Sequence, residues 1–224
     1  PGMKKYFEIQ SQDGTSRTGI LHTSHGDVLT PTFVPVATQG SVKALTPDDL
    51  KSLGATIILG NTYHLFLRPG MDVIKQFNGL QQFTMWDGPI LTDSGGFQGF
   101  SLKHLRKISE EGITFKSHID GSTHMLTPEL SIKYQGIFNS DIIMPLDICS
   151  PHEGNQETAK TAMERTHRWM LRSMKVPKNE NQTLFGIIQG GFFEDLRKTS
   201  SDFLTSINVS GYGLGGFSVG EEKK

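Results

Sequence analysis

The strongest constraint on the fold is a series of short apolar runs that alternate with segments of helical pattern. Six runs can be distinguished along the chain, at residues 33–36, 56–59, 90–93, 142–147, 184–189 and 212–216. Continuous apolar strands that alternate with helices indicate a parallel sheet with helices packed against it. The sequence therefore predicts an α/β fold, and both a doubly wound sheet and a barrel satisfy this pattern.

The residues that follow these runs favour the barrel. Asn61, Asp93, Asp147, Gln189 and Gly216 each stand at the carboxyl end of a predicted strand. In a TIM (β/α)8 barrel these ends converge on one face, where the active site lies. A closed barrel needs about eight strands, so the six runs predict an incomplete barrel over residues 31–224 that lacks its last two units.

Residues 3–30 have a different pattern, because apolar and polar residues alternate there and Asp13-Gly14 separates two of the runs. An Asp-Gly pair between alternating runs is a hairpin signal. We therefore expect a small antiparallel sheet over residues 3–30, before the partial barrel. The barrel is expected to contain an insert at about residues 103–139, in which 113–116 and 117–119 are extended.

Composition excludes several classes of protein. The net charge of the 224 residues is −1, so no global basic field indicates nucleic acid, although a local patch remains compatible with it. No apolar run approaches the length of a membrane span. Cys149 is the only cysteine, which excludes an internal disulfide and indicates a reducing, cytoplasmic compartment. The histidines show no ligand spacing, so no metal or cofactor is expected within this chain.

The stretch 90–98 is the first candidate site. An apolar strand runs into Asp93, the chain turns through Ser94, Gly95 and Gly96, and Phe97 follows. Glycines at such a turn let a ligand approach the backbone. Taken alone, the stretch is better explained by Asp93 beginning an ordinary turn.

Guanine fits the residues that would converge on the barrel face. Its N1–H and 2-amino donors suit the carboxylate of Asp147, and its O6 and N7 acceptors suit the Gln189 amide and the backbone of 215–216. Phe97 can stack on the base, and Asp93 is left for proton transfer. Other polar heterocycles would also fit this set.

Four motifs, in order, resemble those of the tRNA-guanine transglycosylases. They are Asn-Thr-Tyr-His-Leu with Arg-Pro-Gly at 61–70, Thr-Asp-Ser-Gly-Gly-Phe-Gln at 92–98, Gly-Ile-Ile-Gln-Gly-Gly at 186–191, and Gly-Gly-Phe-Ser-Val-Gly-Glu at 215–221. The resemblance covers the chain from Met3 onward. It implies a TIM-barrel enzyme that exchanges the wobble guanine of tRNA for a 7-deazaguanine in queuosine biosynthesis, through a covalent tRNA–enzyme intermediate.

The resemblance also implies roles for individual residues. Asp93 would be the general acid/base, while Asp147, Gln189 and Gly216 would read the base and Phe97 would stack on it. The rest of the substrate-binding set is Ser94, Gly95, Gly96, Gly215, Cys149 and Val219. The expected partners are the tRNA anticodon arm and the guanine and 7-deazaguanine bases, and a homodimer is a further expectation because the family is often dimeric.

Cys149 and Val219 resemble the bacterial type of the family, whose substrate is 7-aminomethyl-7-deazaguanine. Phe217 and Ser218 differ from the commoner Leu-Ala of the same loop, which leaves the preference among deazaguanines open. The family's nucleophilic aspartate and its structural zinc subdomain would lie beyond residue 224. The chain is therefore expected to be an N-terminal portion that is inactive alone.

Two other functions compete with this one. The chain could be a catalytically inert fragment or subunit that binds a purine or tRNA. More remotely, Asp93-Ser94-Gly95-Gly96 resembles the nucleophile motif of chymotrypsin-like serine hydrolases. The β/α alternation argues against the all-β barrel of those enzymes.

Overall fold

The computed structural model describes residues 6–96, 106–150 and 154–217. In chain order the strands are β1 (Phe7–Asp13), β2 (Ser16–Thr23), β3 (Gly26–Thr30), β4 (Val36–Ala37), β5 (Ile58–Gly60), β6 (Ile90–Thr92), β7 (Arg106–Ile108), β8 (Ile113–Lys116), β9 (Thr123–Leu126), β10 (Ile142–Ile143), β11 (Thr183–Leu184), β12 (Gly186–Ile188) and β13 (Tyr212–Leu214). The helices are α1 (Pro47–Ser52), α2 (Thr62–Leu67), α3 (Met71–Gln76), α4 (Leu80–Thr84), α5 (Pro128–Phe138), α6 (Gln156–Met174) and α7 (Glu194–Ser206). Helices separate parallel strands, and antiparallel pairs also occur, so the predicted α/β class is confirmed.

Two compact units can be distinguished. One comprises the chain up to Thr92 together with Gln135–Ile142 and Asn179–Thr183, and the other comprises Asp93–Tyr134, Ile143–Lys178 and the residues from Leu184 onward. Among the described residues, no helix is both long enough and apolar enough to cross a membrane. The predicted division into residues 3–30 and 31–224 stays a prediction.

The first unit contains two sheets. The strands β1, β2 and β3 form the antiparallel sheet expected at the start of the chain. The strands β4, β5 and β6 lie side by side and parallel, as their apolar sequences predict. Asp141, the residue before β10, is hydrogen-bonded to β6, because its N–H donates to Ile90 O (2.8 Å). Thr183, the first residue of β11, is hydrogen-bonded in turn to Asp141, because its N–H donates to Asp141 O (2.8 Å).

A buried carboxylate fastens the antiparallel sheet to the parallel one. Asp141 accepts hydrogen bonds from the backbone N–H of Ile90 (3.0 Å) and from Gln81 Nε2 (3.3 Å), and its Oδ1 lies 2.8 Å from His25 Nδ1. His25 belongs to the turn between β2 and β3. Because several donors converge on one buried carboxylate, its charge is compensated inside the unit.

The second unit packs α6 and α7 against a parallel strand pair. The pair is β12 and β13, whose carboxyl ends therefore lie side by side. Its core contains Ile132, Ile143, Met170, Leu184 and Leu204, all of them buried. The site described below is built on this pair and on the loop that follows β10.

Ionic contacts tie the insert hairpin β7–β8 to α6. The Glu110 carboxylate accepts from Arg168 Nε (2.8 Å) and Nη2 (2.9 Å), and the Glu110 carbonyl accepts from Trp169 Nε1 (2.8 Å). The hydrogen bonds from Arg168 lower the pKa of Glu110 to about 2. Both charged groups are about half exposed, so the contact fixes the position of the hairpin more than it stabilises the fold.

The prediction for the second strand of the insert was wrong. Residues 117–119 form the start of a turn, and the strand that pairs with β8 is β9. The Ser117 hydroxyl accepts hydrogen bonds from the backbone N–H groups of Ile119 (3.1 Å) and Asp120 (3.4 Å). A serine side chain that bonds to its own backbone in this way stabilises a turn against an extended strand.

Candidate functional site

The centre of the candidate site is the carboxylate of Asp147, which lies in the second unit. The residue is 9% exposed. Its Oδ2 accepts a hydrogen bond from Gln189 Nε2 (2.8 Å), and its Oδ1 accepts one from the Ser94 hydroxyl (3.3 Å). The Cys149 thiol lies 3.9 Å from Oδ2. The buried carboxylate is thus surrounded by neutral donors. Asp147, Gln189, Ser94 and Cys149 together form a polar cluster.

Burial raises the pKa of Asp147 to about 6, because no cation among its partners offsets the loss of hydration. The hydrogen bonds from Gln189 and Ser94 oppose this shift, and the negative charge of Asp93 adds to it. A carboxyl group with a raised pKa in a polar cluster is typical of a functional site.

The side chain of Gln189 lies between Asp147 and a wall formed by Gly215 and Gly216, the glycine wall. It is 1% exposed, and its Nε2 also lies 3.7 Å from Cys149 Sγ. A Cβ at Gly215 would stand 2.6 Å from Nε2, and one at Gly216 would stand 2.9 Å from Oε1. Gly216 also has a positive φ of +79°. Only glycine fits this wall without displacing the amide.

One acceptor atom in the cluster has no partner. Gln189 Oε1 is buried and accepts no hydrogen bond from the part of the chain that the structure describes. The cost of burying an unpaired acceptor is offset when a ligand or water supplies a donor. The amide is therefore poised for a molecule that carries donors.

The turn after β6 places Asp93 and Ser94 beside this cluster. The Asp93 carboxylate accepts the backbone N–H of Gly95 (3.2 Å), and Gly95 has a φ of +84°. Ser94 Oγ accepts the N–H of Gly96 (3.2 Å), and Ser131 Oγ donates to the Ser94 carbonyl (2.7 Å). The Ser131 bond anchors the turn to α5.

Ser94 lacks the geometry of a hydrolase nucleophile. It is 3% exposed, and its hydroxyl donates to the carboxylate of Asp147. A catalytic serine gives its proton to a base such as histidine and presents its oxygen to the substrate. The serine hydrolase is therefore not supported by the geometry.

Cys149 also borders a separate cavity. This cavity of about 350 Å³ is lined by Cys149, Ile108, Ile148, Ala162, Glu157 and Arg165, among others. The residue is partly exposed and forms no disulfide. Its position within 4 Å of both Asp147 and Gln189 makes it a wall of the cluster and not an isolated thiol.

The structure brings most of the predicted site residues together. Asp147, Gln189, Cys149 and Ser94 are joined by contacts of the cluster, Gly215 and Gly216 line it, and Gly96 lies against the Asp147 carbonyl. The carboxylate of Asp93 is close enough to shift the pKa of Asp147. Phe97 and Val219 lie outside the described residues, so their predicted contacts with the base stay predictions.

Ser131, Ser200 and Arg197 support the site but were not predicted. Ser200 Oγ accepts the backbone N–H of Gln189 (3.1 Å), and Arg197 Nη1 donates to Gly215 O (2.7 Å) while its guanidinium lies 4.5 Å from the ring centroid of Phe217. Ser200 could have been found from the helix pattern, because it lies between Leu196 and Leu204 on the apolar face of α7.

No group of three or more metal-ligating side chains is brought together in the described ranges. The zinc site implied by the resemblance was expected outside residues 1–224, so it stays a prediction.

Gly96→Ala should disrupt the cluster through steric overlap. A Cβ at this position would lie 2.9 Å from Asp147 O and 3.1 Å from Leu146 Cδ1. We expect the free energy of unfolding to fall by about 1–3 kcal/mol, as for other overpacked cores, measured by urea denaturation. Gly136→Ala in α5 is the matched control, since no atom lies within 4 Å of its Cβ position, and it should stabilise the chain by about 0.5–1 kcal/mol. Equal effects of the two changes would contradict the overlap.

Comparison with known proteins gives the family. The family model described as queuine tRNA-ribosyltransferase matches residues 12–224. The chain therefore belongs to the queuine tRNA-ribosyltransferase family, in agreement with the resemblance of its four motifs.

Curated relatives carry the same name. The chain is 54% identical over 221 residues to the queuine tRNA-ribosyltransferase of Thermoanaerobacter sp. (strain X514), covering 98% of this chain and 59% of the relative. It is 54% identical over 219 residues to that of Nitratidesulfovibrio vulgaris (strain DP4), covering 97% and 58%. It is 52% identical over 217 residues to that of Thermotoga neapolitana, covering 97% and 58%. The chain thus spans less than two thirds of the length of these relatives.

Proposed function

We propose that the cluster around Asp147 is the guanine-recognition site of a tRNA-guanine transglycosylase. The proposed reaction exchanges the wobble guanine of tRNA for 7-aminomethyl-7-deazaguanine through a covalent tRNA–enzyme intermediate, in queuosine biosynthesis. The observation that carries the proposal is the buried Asp147 carboxylate bonded to the Gln189 amide, with neutral donors only. Family membership supports the same reaction.

The hydrogen-bonding capacity of the cluster matches guanine. A carboxylate can accept about four hydrogen bonds, and Gln189 and Ser94 use one on each oxygen of Asp147. One site remains on Oδ1, and the second site on Oδ2 is used only by the weak thiol donor of Cys149 (3.9 Å). With the thiol displaced, the carboxylate can accept the N1–H and the 2-amino group of guanine. These two donors are parallel and point the same way, so one carboxylate can accept both.

The acceptor edge of the base faces the other side of the cluster. Gln189 Nε2 gives one hydrogen to Asp147 and the other to Cys149 Sγ (3.7 Å); sulfur is a weak acceptor, so O6 of guanine can take its place. The Gly215 N–H is already bonded to Ile188 O (3.0 Å). Of the glycine pair, Gly216 is therefore the one whose N–H is assigned to the base.

Asp93 is assigned to proton transfer. When the bond between ribose and guanine breaks and the ribose becomes bonded to the nucleophile that the family implies, the departing base takes a proton from Asp93, which must hold a proton at that step although it is ionised in the unliganded chain. The incoming base then returns a proton to the same carboxylate as it attacks the ribose. A carboxyl group that serves first as acid and then as base is expected of a symmetrical exchange.

Further parts of the proposal rest on the family alone. The parallel strands are assigned to a TIM-type barrel, of which the described residues form an incomplete part, and the partner is assigned as the tRNA anticodon arm. The cytoplasm is the proposed compartment, and Cys149 and Val219 assign the chain to the bacterial type. A homodimer is a proposal of the same kind.

A series of purines tests base recognition. Guanine should bind at least about 100-fold more tightly than adenine, because adenine lacks the N1–H and 2-amino donors and would leave buried acceptors unpaired. Hypoxanthine, which lacks only the 2-amino group, should fall between them. Isothermal titration of the three bases against the chain measures the order. Equal affinities would contradict guanine recognition.

Incorporation of labelled guanine into tRNA, measured for this chain beside a protein of the relatives' full length, then separates an enzyme from an inert binding module. Exchange of the label requires both recognition and chemistry, whereas an inert purine-binding chain would bind guanine and incorporate none.

A further inference from the structure

Two side chains, Ser200 on α7 and His167 on α6, connect the backbone of Gln189 to both long helices. Its N–H donates to Ser200 Oγ on α7 (3.1 Å), and the same Oγ lies 2.9 Å from His167 Nε2 on α6. The His167 ring is in turn stacked on Phe203, with ring centroids 4.1 Å apart and planes inclined by 19°. None of these three residues belongs to the cluster that would contact a base.

We propose that Ser200 and His167 are positioning residues of the base site, which act together by fixing the backbone of Gln189. The proposal rests on the proposed function only for the role of Gln189 as a reader of the base. The hydrogen bonds that join Gln189, Ser200 and His167 are a feature of the fold, and they can be tested without any ligand.

The direction of the hydrogen bonds follows from the number of protons. The Gln189 N–H can only donate, so Ser200 Oγ is an acceptor in that bond. The hydroxyl retains one proton of its own, and His167 Nε2 is the acceptor within reach. His167 must therefore carry its ring proton on Nδ1.

The environment of His167 agrees with a neutral ring. Burial lowers its pKa to about 4, against an opposing effect of Glu164. An imidazolium would carry a proton on Nε2 and would compete with the serine hydroxyl as a donor. The ring is therefore a fixed acceptor at neutral pH.

The packing around Ser200 leaves little freedom for the hydroxyl. Ser200 is fully buried between Leu196 and Leu204, one helical turn away on either side. Leu204 presses on β12, since a Cβ at Gly186 would lie 2.8 Å from its Cδ2. Burying a polar side chain on such a face costs free energy unless the side chain makes a specific hydrogen bond. Ser200 makes that bond to the backbone of Gln189, whose side chain is hydrogen-bonded to Asp147.

The consequence is a second grip on Gln189. Its side chain is confined by Asp147 and by the glycine wall of 215–216, and its backbone is confined by Ser200. Loss of the backbone grip would allow the amide to shift relative to the Asp147 carboxylate. Because two hydrogen bonds to one base require both groups to be in place at once, the affinity for guanine should fall even though Ser200 does not touch the base.

The first test is the tautomer of His167 in the unmutated chain, measured by the ¹⁵N chemical shifts of histidine-labelled protein at pH 7. We expect a protonated Nδ1 and an unprotonated Nε2. In Ser200→Ala, the Nε2 signal of His167 and the backbone amide signal of Gln189 should both shift. A proton on Nε2 in the unmutated chain would overturn the proposal, whether or not any variant folds.

The second test is guanine binding by isothermal titration. Ser200→Ala should weaken binding by about tenfold, which corresponds to one lost hydrogen bond, and His167→Leu should weaken it several-fold. His167→Gln should restore most of the affinity, because its amide oxygen can accept from Ser200. The neighbouring Ser201→Ala is the matched control and should bind as the unmutated chain does.

The outcomes separate this proposal from the proposed function. If the unmutated chain does not bind guanine, the proposed function fails. The tautomer of His167 and the amide shift of Gln189 still show whether Gln189, Ser200 and His167 are hydrogen-bonded as proposed. If the unmutated chain binds guanine and folded Ser200→Ala binds it equally well, the positioning role fails and guanine recognition stands.

Discussion

Asp147→Asn is expected to lose guanine binding by at least about 100-fold and, at the same time, to make the unliganded chain more stable at pH 7–8. Asparagine keeps the shape of the side chain but turns one acceptor oxygen into a donor, which would face the N1–H and 2-amino donors of the base. A buried donor that meets a donor leaves both unpaired, and such sites discriminate strongly.

The gain in stability follows from the raised pKa of Asp147. In the folded chain the pKa is about 6, against an ordinary value of 3.8. Because the folded state holds the proton more tightly than the unfolded state, ionisation above pH 6 destabilises the fold, by roughly 2–3 kcal/mol for a difference of this size. The penalty is fully present above pH 6, shrinks as the pH falls towards 4 and is absent below that.

Asparagine removes this penalty without increasing the number of unpaired groups, because the unpaired atom of Gln189 changes from Oε1 to Nε2. The Gln189 amide can turn over so that Oε1, which has no partner in the described part of the chain, accepts from the amide of the introduced asparagine while Nε2 swings away. Urea denaturation at pH 8 and pH 4 measures the effect, and the two proteins should differ at pH 8 and converge at pH 4. A site that is destabilised for the sake of binding is a common trade-off in proteins.

Asp202→Asn provides the matched control, because Asp202 is exposed on α7, away from the cluster. It should change neither guanine affinity nor the dependence of stability on pH. Unchanged guanine affinity in Asp147→Asn would remove Asp147 from the base site. Equal stability at pH 8 would show that the carboxyl is not held with a raised pKa.

Local sequence was sufficient to predict that polar or glycine residues at the ends of two strands lie close together. Gln189 and Gly215 directly follow the apolar strands β12 and β13, and these strands are parallel neighbours. A polar residue at the end of an apolar run is visible in the sequence, and parallel pairing brings such ends together. That step required no knowledge of distant contacts.

The support behind the site could not be predicted in the same way. Ser200 and His167 lie 33 residues apart on different helices, and only the packing of those helices brings their side chains together. Arg197 is a similar case, since its bond to the Gly215 carbonyl depends on how α7 lies against the loop. A polar residue on an apolar helix face marks such a position, but its partner is set by tertiary structure.

Two expectations about apolar residues also depended on tertiary structure. Phe33 begins the first apolar run but is 80% exposed, and the strand there is limited to Val36–Ala37. Leu171 is an apolar residue of α6 beside the buried Met170 but is 42% exposed, while Trp169 is fully buried. Trp169 Nε1 donates to Glu110 O, so a long-range contact decides which side of the helix faces inward.

In a protein of the relatives' full length, Asp93→Asn is expected to lower the rate of guanine exchange by about two to four orders of magnitude, the usual contribution of a general acid/base. Guanine affinity should stay within about threefold, because Asp93 is not assigned to the base edges that Asp147 and Gln189 recognise. The rate is measured by incorporation of labelled guanine into tRNA, and the affinity by isothermal titration of the same preparations.

A second, independent consequence concerns Asp147. The negative charge of Asp93 contributes to the raised pKa of Asp147, so Asp93→Asn should lower that pKa and extend guanine binding to lower pH. The direction follows because the ionised carboxylate accepts the donors of the base, and a lower pKa keeps it ionised as the pH falls through about 6. A purely structural loss at residue 93 would weaken binding at every pH instead.

Asp195→Asn serves as the control for exchange, since Asp195 is an exposed residue of α7 that accepts a hydrogen bond from Gln156 (2.8 Å). It should leave the exchange rate unchanged. A covalent RNA adduct trapped on Asp93 and located by mass spectrometry would show that this carboxylate is the nucleophile and not the acid/base. An unchanged exchange rate in Asp93→Asn would assign the proton transfer to another group. A large loss of rate with retained affinity and no adduct is the result that only the acid/base role predicts.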